Sequence, residues 1–363
     1  MKGRAMRFVE NERPWRGGRR RVVAVASALL SALALLGVAS TSASGTTPGV
    51  NGRISFMRTD DSNHWQVWTA NPDLTVQHKI TGGDYDNGWA TWSADGTRLA
   101  FDSARIAPEA NGDLKEIFTM APDGSDVRQV TDLGFYAGQP TWSPDGRWIA
   151  FTTDGGNYPD TQGIYVIHPD GTGLRRVVSL PAGPRSRWLD APRFSPDGTR
   201  LAYTFFEGGK QTPAPWSWKG ETSSLWVVDL DGQNARQLVA PGQKVGDADW
   251  SPDGRYLVFE QTGNDPGKIT SVLRVPSTGG GITALTQDTG YRGGRSAHWS
   301  FQASFDPVYS PDGTKILYPH DEYSPTFGCT SLQGMSADGS GQHWINDACG
   351  VEHQVDWGTA PAQ

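Results

Sequence analysis

The sequence predicts an all-β protein, a closed ring of six four-stranded antiparallel sheets, on three observations. First, the phrase "WSPDGRWIAF" recurs with small changes, starting at Trp92, Trp142, Phe194, Trp250 and Tyr309. Second, the first residue of each copy follows the previous one after 50 to 59 residues. Third, each end of the chain carries half a copy. A regular repeat of this length indicates one supersecondary unit used many times.

Each copy has the features of a β-hairpin. In Ser-Pro-Asp-Gly, Pro presets φ, Asp can bond to its own backbone, and Gly supplies a positive φ, so the four residues form a tight turn. The residues that follow are rich in β-branched and aromatic side chains, which favour strands. A third strand, a second turn and a fourth strand come next, as in "GIYVIHPDGT" from Gly163 and "GLRRVV" from Gly173. Four such strands make one blade of a β-propeller.

The two half copies predict how the ring closes. "GRISFMR" from Gly52 is a second strand with no first strand, and "HQVDWGT" at His353–Thr359 is a first strand with no second. Trp357 lies 48 residues after Tyr309, in step with the other copies. We therefore expect the C-terminal strand to complete the N-terminal blade. The aromatics that open each phrase, here called the anchor aromatics, should pack between blades.

The repeat resembles the TolB-type, WD40-like β-propeller family. The resemblance rests on "WSPDGxxIAF", "IYVIHPDGT" and "RQVT"-like phrases and covers the chain after its N-terminal leader. It implies a six-bladed propeller, usually outside the cytoplasm and often used to bind proteins. TolB itself has a separate α/β domain before its propeller, whereas few residues separate the leader from the first blade here. A role in the Tol–Pal system does not follow from the resemblance.

Residues 1–44 have the features of a secretory signal. A basic stretch, "RGGRRR", precedes an apolar run of 15 residues and a small-residue cleavage site near Ala43. We expect a single propeller domain over residues 45–363, secreted or held in the cell envelope, with an uncleaved anchor as the alternative. The leader carries eight basic and two acidic residues, so residues 45–363 carry a net charge of −13. This charge disfavours nucleic acid and anionic membranes as partners.

The two cysteines, Cys329 and Cys349, suit an exported protein. One should begin the third strand of the sixth blade and the other should follow its fourth strand. Neighbouring antiparallel strands would place both at one end of that blade, so we expect a disulfide. It would stabilise the protein by roughly 3 kcal/mol.

The blade topology predicts two unlike faces. Turns between first and second strands, and between third and fourth strands, share one face, here called the turn face, and are short. The other connections share the opposite face, here called the loop face, and are predicted to be long, irregular loops, as in "EGGKQTPAPWSWKGETS" from Glu207. Functional residues concentrate on loops held by a rigid scaffold, so we expect the loop face and the channel mouth to bind ligand.

Two groups of loop-face side chains have both a structural and a functional interpretation. The aromatics either cover the blade ends or offer a stacking surface for sugars or a partner; they are Trp188, Trp216, Trp218, Trp299 and Phe301. The histidines His64, His298, His320 and His353 occur with the acids Asp60, Asp61, Asp306, Asp321, Glu322 and Glu352. They are either scattered polar residues or a cluster for a transition metal or for acid–base catalysis.

The channel is the third candidate site. The residues three positions before the anchors are Trp89, Gln139, Ala191, Asp247, Asp306 and Gln354. Two carboxylates and two amides around an axis can hold a divalent cation such as Ca²⁺, or a ligand amine. The alternative is a polar channel filled with water. Asp247, Asp306 and His353 are the candidate metal ligands.

Two functions remain open from the sequence. The first is an exported, non-catalytic and monomeric propeller that binds an envelope protein or polymer through its loop face. The second is a secreted polysaccharide lyase or hydrolase that uses the histidine and carboxylate cluster. The chain has no Gly-x-Ser-x-Gly nucleophile elbow, no P-loop and no dinucleotide fingerprint. No cofactor other than a divalent cation is expected.

Overall fold

A computed structural model describes the chain from Thr47 onward, with gaps. The described ranges are 47–108, 114–154, 161–180, 187–211, 218–241, 244–262, 270–288, 290–292, 299–324, 327–345 and 353–362. No α-helix occurs within these ranges, and none of their segments could cross a membrane as a helix. The leader lies outside the described residues, so its predicted role as an export signal stays a prediction.

Six antiparallel sheets follow one another around the ring, which confirms the predicted six-bladed propeller. The first three blades contain β26 (His353–Thr359), β1 (Asn51–Thr59), β2 (Trp65–Ala70) and β3 (His78–Lys79); β4 (Asn87–Trp92), β5 (Leu99–Ser103), β6 (Glu116–Met120) and β7 (Arg128–Gln129); and β8 (Ala137–Trp142), β9 (Ile149–Thr153), β10 (Gly163–Ile167) and β11 (Arg175–Ser179).

Blades 4 to 6 complete the ring. They contain β12 (Arg187–Phe194), β13 (Arg200–Gln211), β14 (Trp218–Asp229) and β15 (Arg236–Val239); β16 (Lys244–Trp250), β17 (Tyr256–Thr262), β18 (Thr270–Pro276) and β19 (Thr283–Ala284); and β20 (Gly290–Arg292), β21 (Trp299–Ser304), β22 (Val308–Tyr309), β23 (Lys315–Ser324), β24 (Phe327–Ser336) and β25 (His343–Trp344).

The repeated turn forms because its serine and aspartate bond to each other and to the backbone. In blade 3 the Ser143 hydroxyl donates to Asp145 Oδ1 at 2.7 Å and accepts the Trp148 N–H at 2.8 Å. Gly146 has φ of 66°, a conformation that side-chain-bearing residues rarely adopt. The same serine–aspartate bond recurs in the other four copies, from Ser93, Ser195, Ser251 and Ser310.

The C-terminal strand closes the ring as predicted. β26 pairs with β1, with Trp357 opposite Ile54, and beyond the strand the Ala360 N–H donates to the Val50 carbonyl at 2.8 Å. Seven further buried residues join this pair in one cluster between blades 1 and 6: Phe56, Ala70, Leu74, Val308, Leu317, Leu332 and Val355. The pairing of β26 with β1, here called the seam, is therefore supported by an apolar cluster between blade 1 and its neighbour.

The anchor aromatics lie between blades, which confirms their predicted packing role. All six are at most 8% exposed: Trp92, Trp142, Phe194, Trp250, Tyr309 and Trp357. Burial of one such side chain stabilises the fold by about 1.5–3 kcal/mol.

The loop face differs from the prediction of irregular loops. In blade 4, β13 and β14 run for 12 residues each and pair as far as Gln211 opposite Trp218, so most of the long segment from Glu207 is a β-hairpin. In blade 6, β23 and β24 also extend as a hairpin of 10 residues per strand. The prediction was wrong because the residues of the extended strands in blade 4, "EGGKQ" and "WKGETS", are mostly polar residues and glycine, so they contain few of the β-branched and aromatic side chains that favour strands.

Blade 6 also differs from the other blades in its first strand. That strand is divided into β21 and β22 around Asp306, and the short strand β20 pairs with the free edge of β21. On β24 of the same blade, Cys329 is buried, at 7% exposed. Cys349 lies outside the described residues, so the disulfide stays a prediction.

Candidate functional site in the channel

The six predicted channel residues share one unusual backbone conformation. All six have φ between 37° and 56°, although none is glycine: Trp89, Gln139, Ala191, Asp247, Asp306 and Gln354. In blades 2 to 5 the pairing register shifts at this position, which is the mark of a β-bulge. A bulge redirects its side chain out of the sheet. Residues of blades 1, 2, 4, 5 and 6 line one shared cavity, among them Trp89, Asp247, Asp306 and Gln354, so the cavity lies at the axis of the ring.

Hydrogen bonds from these left-handed residues link each blade to the next. The Ala191 N–H donates to Gln139 Oε1 at 2.9 Å, and the Gln354 N–H donates to Asp306 Oδ2 at 3.1 Å. Gln139, at 6% exposed, therefore serves as a link between blades 3 and 4. Its amide oxygen is already engaged, which makes it a weaker candidate for ligand binding than Gln354.

Three carboxylates meet in the half of the channel nearer the loop face. Oxygens of Asp247, Glu260 and Asp306 lie within 4.8 Å of one another. Asp247 and Glu260 come from the two inner strands of blade 5, and Asp306 comes from the break between β21 and β22. Glu260 Oε2 accepts the Asp306 N–H at 3.3 Å, and the Asp247 and Asp306 carboxyl groups share a hydrogen bond. We call these three side chains the carboxylate group.

Glycine at position 246 makes room for the carboxylate group. Gly246 lies opposite Glu260 in the β16–β17 register. A Cβ atom at this position would lie 2.8 Å from Glu260 Oε1, closer than such contacts normally allow. Any larger residue would push the Glu260 side chain away from Asp306.

The surroundings of the carboxylate group disfavour its negative charges and raise the pKa values of all three side chains. Burial, with the adjacent charge of Asp247, raises the pKa of Glu260 to about 8. Burial and the two neighbouring carboxyls raise the pKa of Asp306 well above its usual range. Burial also raises the pKa of Asp247, although the Arg193 guanidinium opposes this effect. Protons or an external cation would relieve the repulsion.

Gln354 adds a fourth oxygen to the same cavity. Its Oε1 atom is shielded from solvent and accepts no hydrogen bond from the described residues. Three carboxylates and one amide oxygen form a set of hard donors that suits Ca²⁺ or a primary ammonium group. No histidine or cysteine belongs to this set, so the donors fit a soft transition metal poorly.

The predicted histidine cluster is not assembled in the described part of the chain. His320 is 5% exposed, and its Nδ1 lies 2.9 Å from Ser304 Oγ and 3.7 Å from Asp288 Oδ1. His64 lies beside Asp86 at 3.5 Å. The described residues contain no group of three or more potential metal ligands, within 4.8 Å of one another, that includes a histidine. His298 and Glu352 lie outside the described residues.

His353 occupies an aromatic environment rather than the carboxylate group. Its ring stacks on Phe305 at 5.2 Å between centroids and meets Trp65 edge-on at 5.3 Å. Burial lowers its pKa, although the charge of Asp321 opposes this. Asp321 also acts on His320, so the two histidines share one carboxylate neighbour without forming a metal site.

The aromatic side chains predicted to bind ligand, in the channel or on the loop face, differ in their environments. Trp89 is half-buried and lines the axial cavity. Trp188 is half-buried and stacks on Phe206 at 4.8 Å, which favours its interpretation as a cover for the blade end. Trp216 lies outside the described residues, as do the side chains of Trp218, Trp299 and Phe301.

Sequence reasoning missed Glu260 and Arg193. Glu260 lies ten residues after Trp250, at the position that Asp102 occupies ten residues after Trp92. In both blades this residue accepts the N–H of the left-handed residue of the next blade, at Asp306 and Gln139. A carboxylate directly after the buried apolar residues of a second strand, as in "YLVFE" and "RLAFD", was the available signal.

Comparison with known proteins places the fold. No family model matches the chain. The Tol-Pal system protein TolB of Anaeromyxobacter dehalogenans (strain 2CP-C) is 31% identical over 149 residues, and an uncharacterized peptidase, YuxL, of Bacillus subtilis is 28% identical over 126 residues. These matches cover 38% and 35% of this chain but only 27% and 16% of the relatives' own lengths.

Solved structures show the same architecture over most of the chain. TolB from Acinetobacter baumannii superposes with a TM-score of 0.63 and 18% identity, over 86% of this chain and 68% of that one. The fold is that of a TolB-like propeller. A TolB from Agrobacterium tumefaciens gives a TM-score of 0.53 at 17% identity, over 83% of this chain and 90% of that one. At these identities the likeness extends to the fold alone.

Proposed function

We propose that this TolB-like propeller is an exported, non-catalytic protein of the cell envelope that binds a protein or envelope polymer on its loop face. The channel mouth is its second contact point and takes a cationic group of the ligand. The observation that carries the proposal is the carboxylate group, which lies in the half of the channel that opens toward that face.

The charges around the carboxylate group support a cationic ligand. Oxygens of the three carboxylates lie within 4.8 Å of one another. Beyond the effect of burial, Asp247 raises the pKa of Glu260, and Asp247 and Glu260 raise the pKa of Asp306; Asp190 adds a further negative charge near Glu260. Like charges this close destabilise the free protein, since the effective dielectric constant near a half-buried site is low. A lysine ammonium group of a partner, or a divalent cation, would convert this repulsion into attraction.

The shape of the loop face supports a macromolecular ligand. The β13–β14 hairpin of blade 4 and the β23–β24 hairpin of blade 6 extend the loop face on both sides of blade 5, which contributes Asp247 and Glu260. At about 3.3 Å per residue, the seven residues that β13 has beyond the five of β9 add roughly 20 Å of wall. Two such walls favour a ligand large enough to contact both, such as a protein segment or a polymer chain.

The location in the envelope rests on the leader of residues 1–44 and on the TolB relatives. TolB is named as a Tol-Pal system protein, and 27% of its length matches part of this chain. By that analogy, the partner is a protein of the same compartment.

Site-specific photo-cross-linking in the native host tests the proposal. A photoreactive residue is placed on the loop face at Asp61 or Gln261 and, as matched controls, on the turn face at Val127 or Leu174. We expect a discrete covalent product, identified by mass spectrometry, from the loop-face positions only. Equal products from both faces, or from the turn face alone, would contradict the proposal.

The carboxylate group is tested in the same experiment. The double variant Glu260→Gln, Asp306→Asn should reduce the yield of the loop-face product, because the partner's cationic group loses its acceptors. The double variant Asp123→Asn, Asp170→Asn, which removes the same number of charges at exposed turn-face residues, is the control and should leave the yield unchanged. Turnover of a purified polysaccharide by the unmodified protein would instead favour the enzymatic alternative.

A further inference from the structure

We propose that Arg193 is a resident counter-ion of the channel, which competes with the ligand's cation for the carboxylate group and thereby sets the affinity and charge selectivity of the site. The inference rests on the proposed function, because it concerns the same cationic ligand. It gives Arg193 of blade 4 a role in ligand binding, although Arg193 contributes no oxygen to the site.

Arg193 occupies a position of the repeat that faces the axis. The residues one place before the anchor aromatics are Thr91, Thr141, Arg193, Asp249, Val308 and Asp356. Arg193 is the one basic residue among those that line the axial cavity, with Asp247 and Asp306, and the cavity on its turn-face side, with Asp249 and Asp356. Its side chain therefore lies between two sets of carboxylates within the described part of the channel.

The electrostatic partners of Arg193 place its guanidinium near the axis. It acts on Asp247 of blade 5 and on Asp356 of blade 1, opposing in each case the rise in pKa that burial causes. Blades 1 and 4 face each other across a six-bladed ring, so a blade 4 side chain that reaches the field of Asp356 must extend toward the axis. Arginine is long enough for this, whereas the threonines of blades 2 and 3 are not.

The backbone of Arg193 is fixed by strand pairing and a hydrogen bond, whereas its guanidinium is not fixed by a hydrogen bond within the described residues. Arg193 pairs with Ala202 in the β12–β13 register, and its carbonyl accepts the Trp250 indole N–H at 3.2 Å. Among the described residues, the guanidinium forms no direct hydrogen bond. A charged group with five donors and no fixed partner can shift along the channel at low cost.

The consequence is a competition between two cations. Without ligand, Arg193 partly neutralises Asp247. A cation that enters from the loop face meets the carboxylate group and repels the guanidinium, which can retreat toward Asp249 and Asp356. Ligands of higher charge, or those that also contact the loop face, overcome this repulsion more readily than a monovalent ion does.

Calorimetric titration of the full mature chain tests the inference. The probes are Ca²⁺ and n-butylammonium, which stand for a free cation and for a lysine side chain. Removal of a unit charge a few ångströms from a half-buried site should change affinity by about tenfold. We therefore expect Arg193→Met to bind at least one probe about tenfold more tightly than the unmodified protein. Arg147→Met, with the same change of charge at an exposed turn residue, should bind unchanged.

A second pair of variants separates competition from a general effect of charge. Asp356→Asn removes the charge toward which Arg193 retreats, so it should weaken probe binding. In the Arg193→Met background the same substitution should have a much smaller effect on affinity, because that protein has no guanidinium that could move toward Asp356. Additive effects of the two substitutions would overturn the inference.

The remaining outcomes are also decisive. If Arg193→Met unfolds, Arg193→Gln and Arg193→Lys take its place, and the order of affinity should be Gln tighter than Lys. Unchanged affinity in the variants, with binding abolished by Asp306→Asn, would refute the role of Arg193 and retain the proposed cation site. Absence of binding by either probe to any variant would refute both the competition and the channel as a cation site, while the cross-linking result would still decide the loop face.

Discussion

The backbone N–H of Trp92 donates a 2.8 Å hydrogen bond to Asp356 Oδ2, joining blade 2 to the strand that closes the ring. The N–H of Tyr309 makes the same contact with Asp249 Oδ2 at 2.9 Å, between blades 6 and 5. Each carboxylate directly precedes the anchor aromatic of its own blade. An aspartate at this position therefore links neighbouring blades, and at Asp356 it links chain segments 264 residues apart.

Loss of the Asp356 link should weaken the contact between the closing strand β26 and blade 2. Asp356→Ala leaves the Trp92 N–H without its acceptor, which should lower the free energy of unfolding by about 1–3 kcal/mol. Asp356→Asn keeps an oxygen that can accept and should lose less. Urea denaturation of both variants measures the difference. Asp61→Ala, at an exposed loop residue, serves as the control, and an equal loss in all three variants would show that the link has no special role.

The carboxylate group should make stability fall with rising pH. The pKa of Glu260 is about 8 in the folded protein against 4.5 ordinarily, so the native state keeps a proton that the unfolded chain releases between these values. Stability is therefore highest below this window and decreases as pH rises through it, by at most about 5 kcal/mol. Denaturation at several pH values above 5 measures the slope.

Glu260→Gln should flatten that pH dependence, because the amide does not titrate. The raised pKa values of Asp247 and Asp306 act in the same direction, so a smaller slope should remain. Asp95→Asn is the control, since the pKa of Asp95 is lowered and it titrates below the window. A Glu260→Gln variant with the full slope would locate the pH dependence elsewhere.

Blade 1 carries two strained residues in its outer turn. Leu74 and Val76 have φ of 59° and 53°, where the corresponding turn of blade 2 has Gly124 and Asp126. Val76 is 57% exposed and β-branched, so its strain is not offset by burial. Val76→Asn should stabilise the protein by about 0.5–1 kcal/mol. Thermal unfolding measures this, and a lower melting temperature would argue against strain at Val76.

The matched substitution at Leu74 should have the opposite sign. Leu74 is 6% exposed and packs in the cluster between blades 1 and 6. Leu74→Gly relieves strain but removes a buried side chain, whose loss costs about 2–5 kcal/mol. The two variants together distinguish backbone strain from packing at positions two residues apart.

The second blade has Ala94 where the other four copies of the turn have proline. The backbone bond that closes the turn, from the Gly96 N–H to the Ser93 carbonyl at 2.9 Å, matches its counterparts, such as Gly146 to Ser143 at 2.9 Å. Ala94→Pro should therefore fit without strain and stabilise the protein by about 0.4–1 kcal/mol through the unfolded state. Urea denaturation measures the gain. Destabilisation would mean that the backbone at Ala94 differs from that of the other turns.

The repeat explains why so much of the fold could be predicted. Turn residues such as Ser143, Asp145 and Gly146 interact within a few positions of one another, so their pattern can be recognised in a single sequence. The anchor aromatics and the channel positions then follow by counting from the turn. Closure by Trp357 could be predicted because the half copies had to be completed by each other.

The carboxylate group could be predicted only in part, since it combines two positions of the repeat. Asp247 and Asp306 share the bulge position, and counting found them together. Glu260 belongs to the second strand, and its contact with Asp306 depends on the stagger between blades and on the space left by Gly246. Arg193 was missed for a different reason: its reach toward the axis depends on side-chain length rather than on its place in the repeat.

The seam between β26 and β1 has a consequence for the order of the chain. Ala360 and Val50 are already hydrogen-bonded neighbours, so a short linker could join them without moving either strand. The chain could then be cut at an exposed turn, such as the one at Asp123, to give a circular permutant with the same six blades. In that permutant the pairing of β26 with β1 would be covalently continuous, and blade 2 would instead be completed by strands from the two ends of the chain.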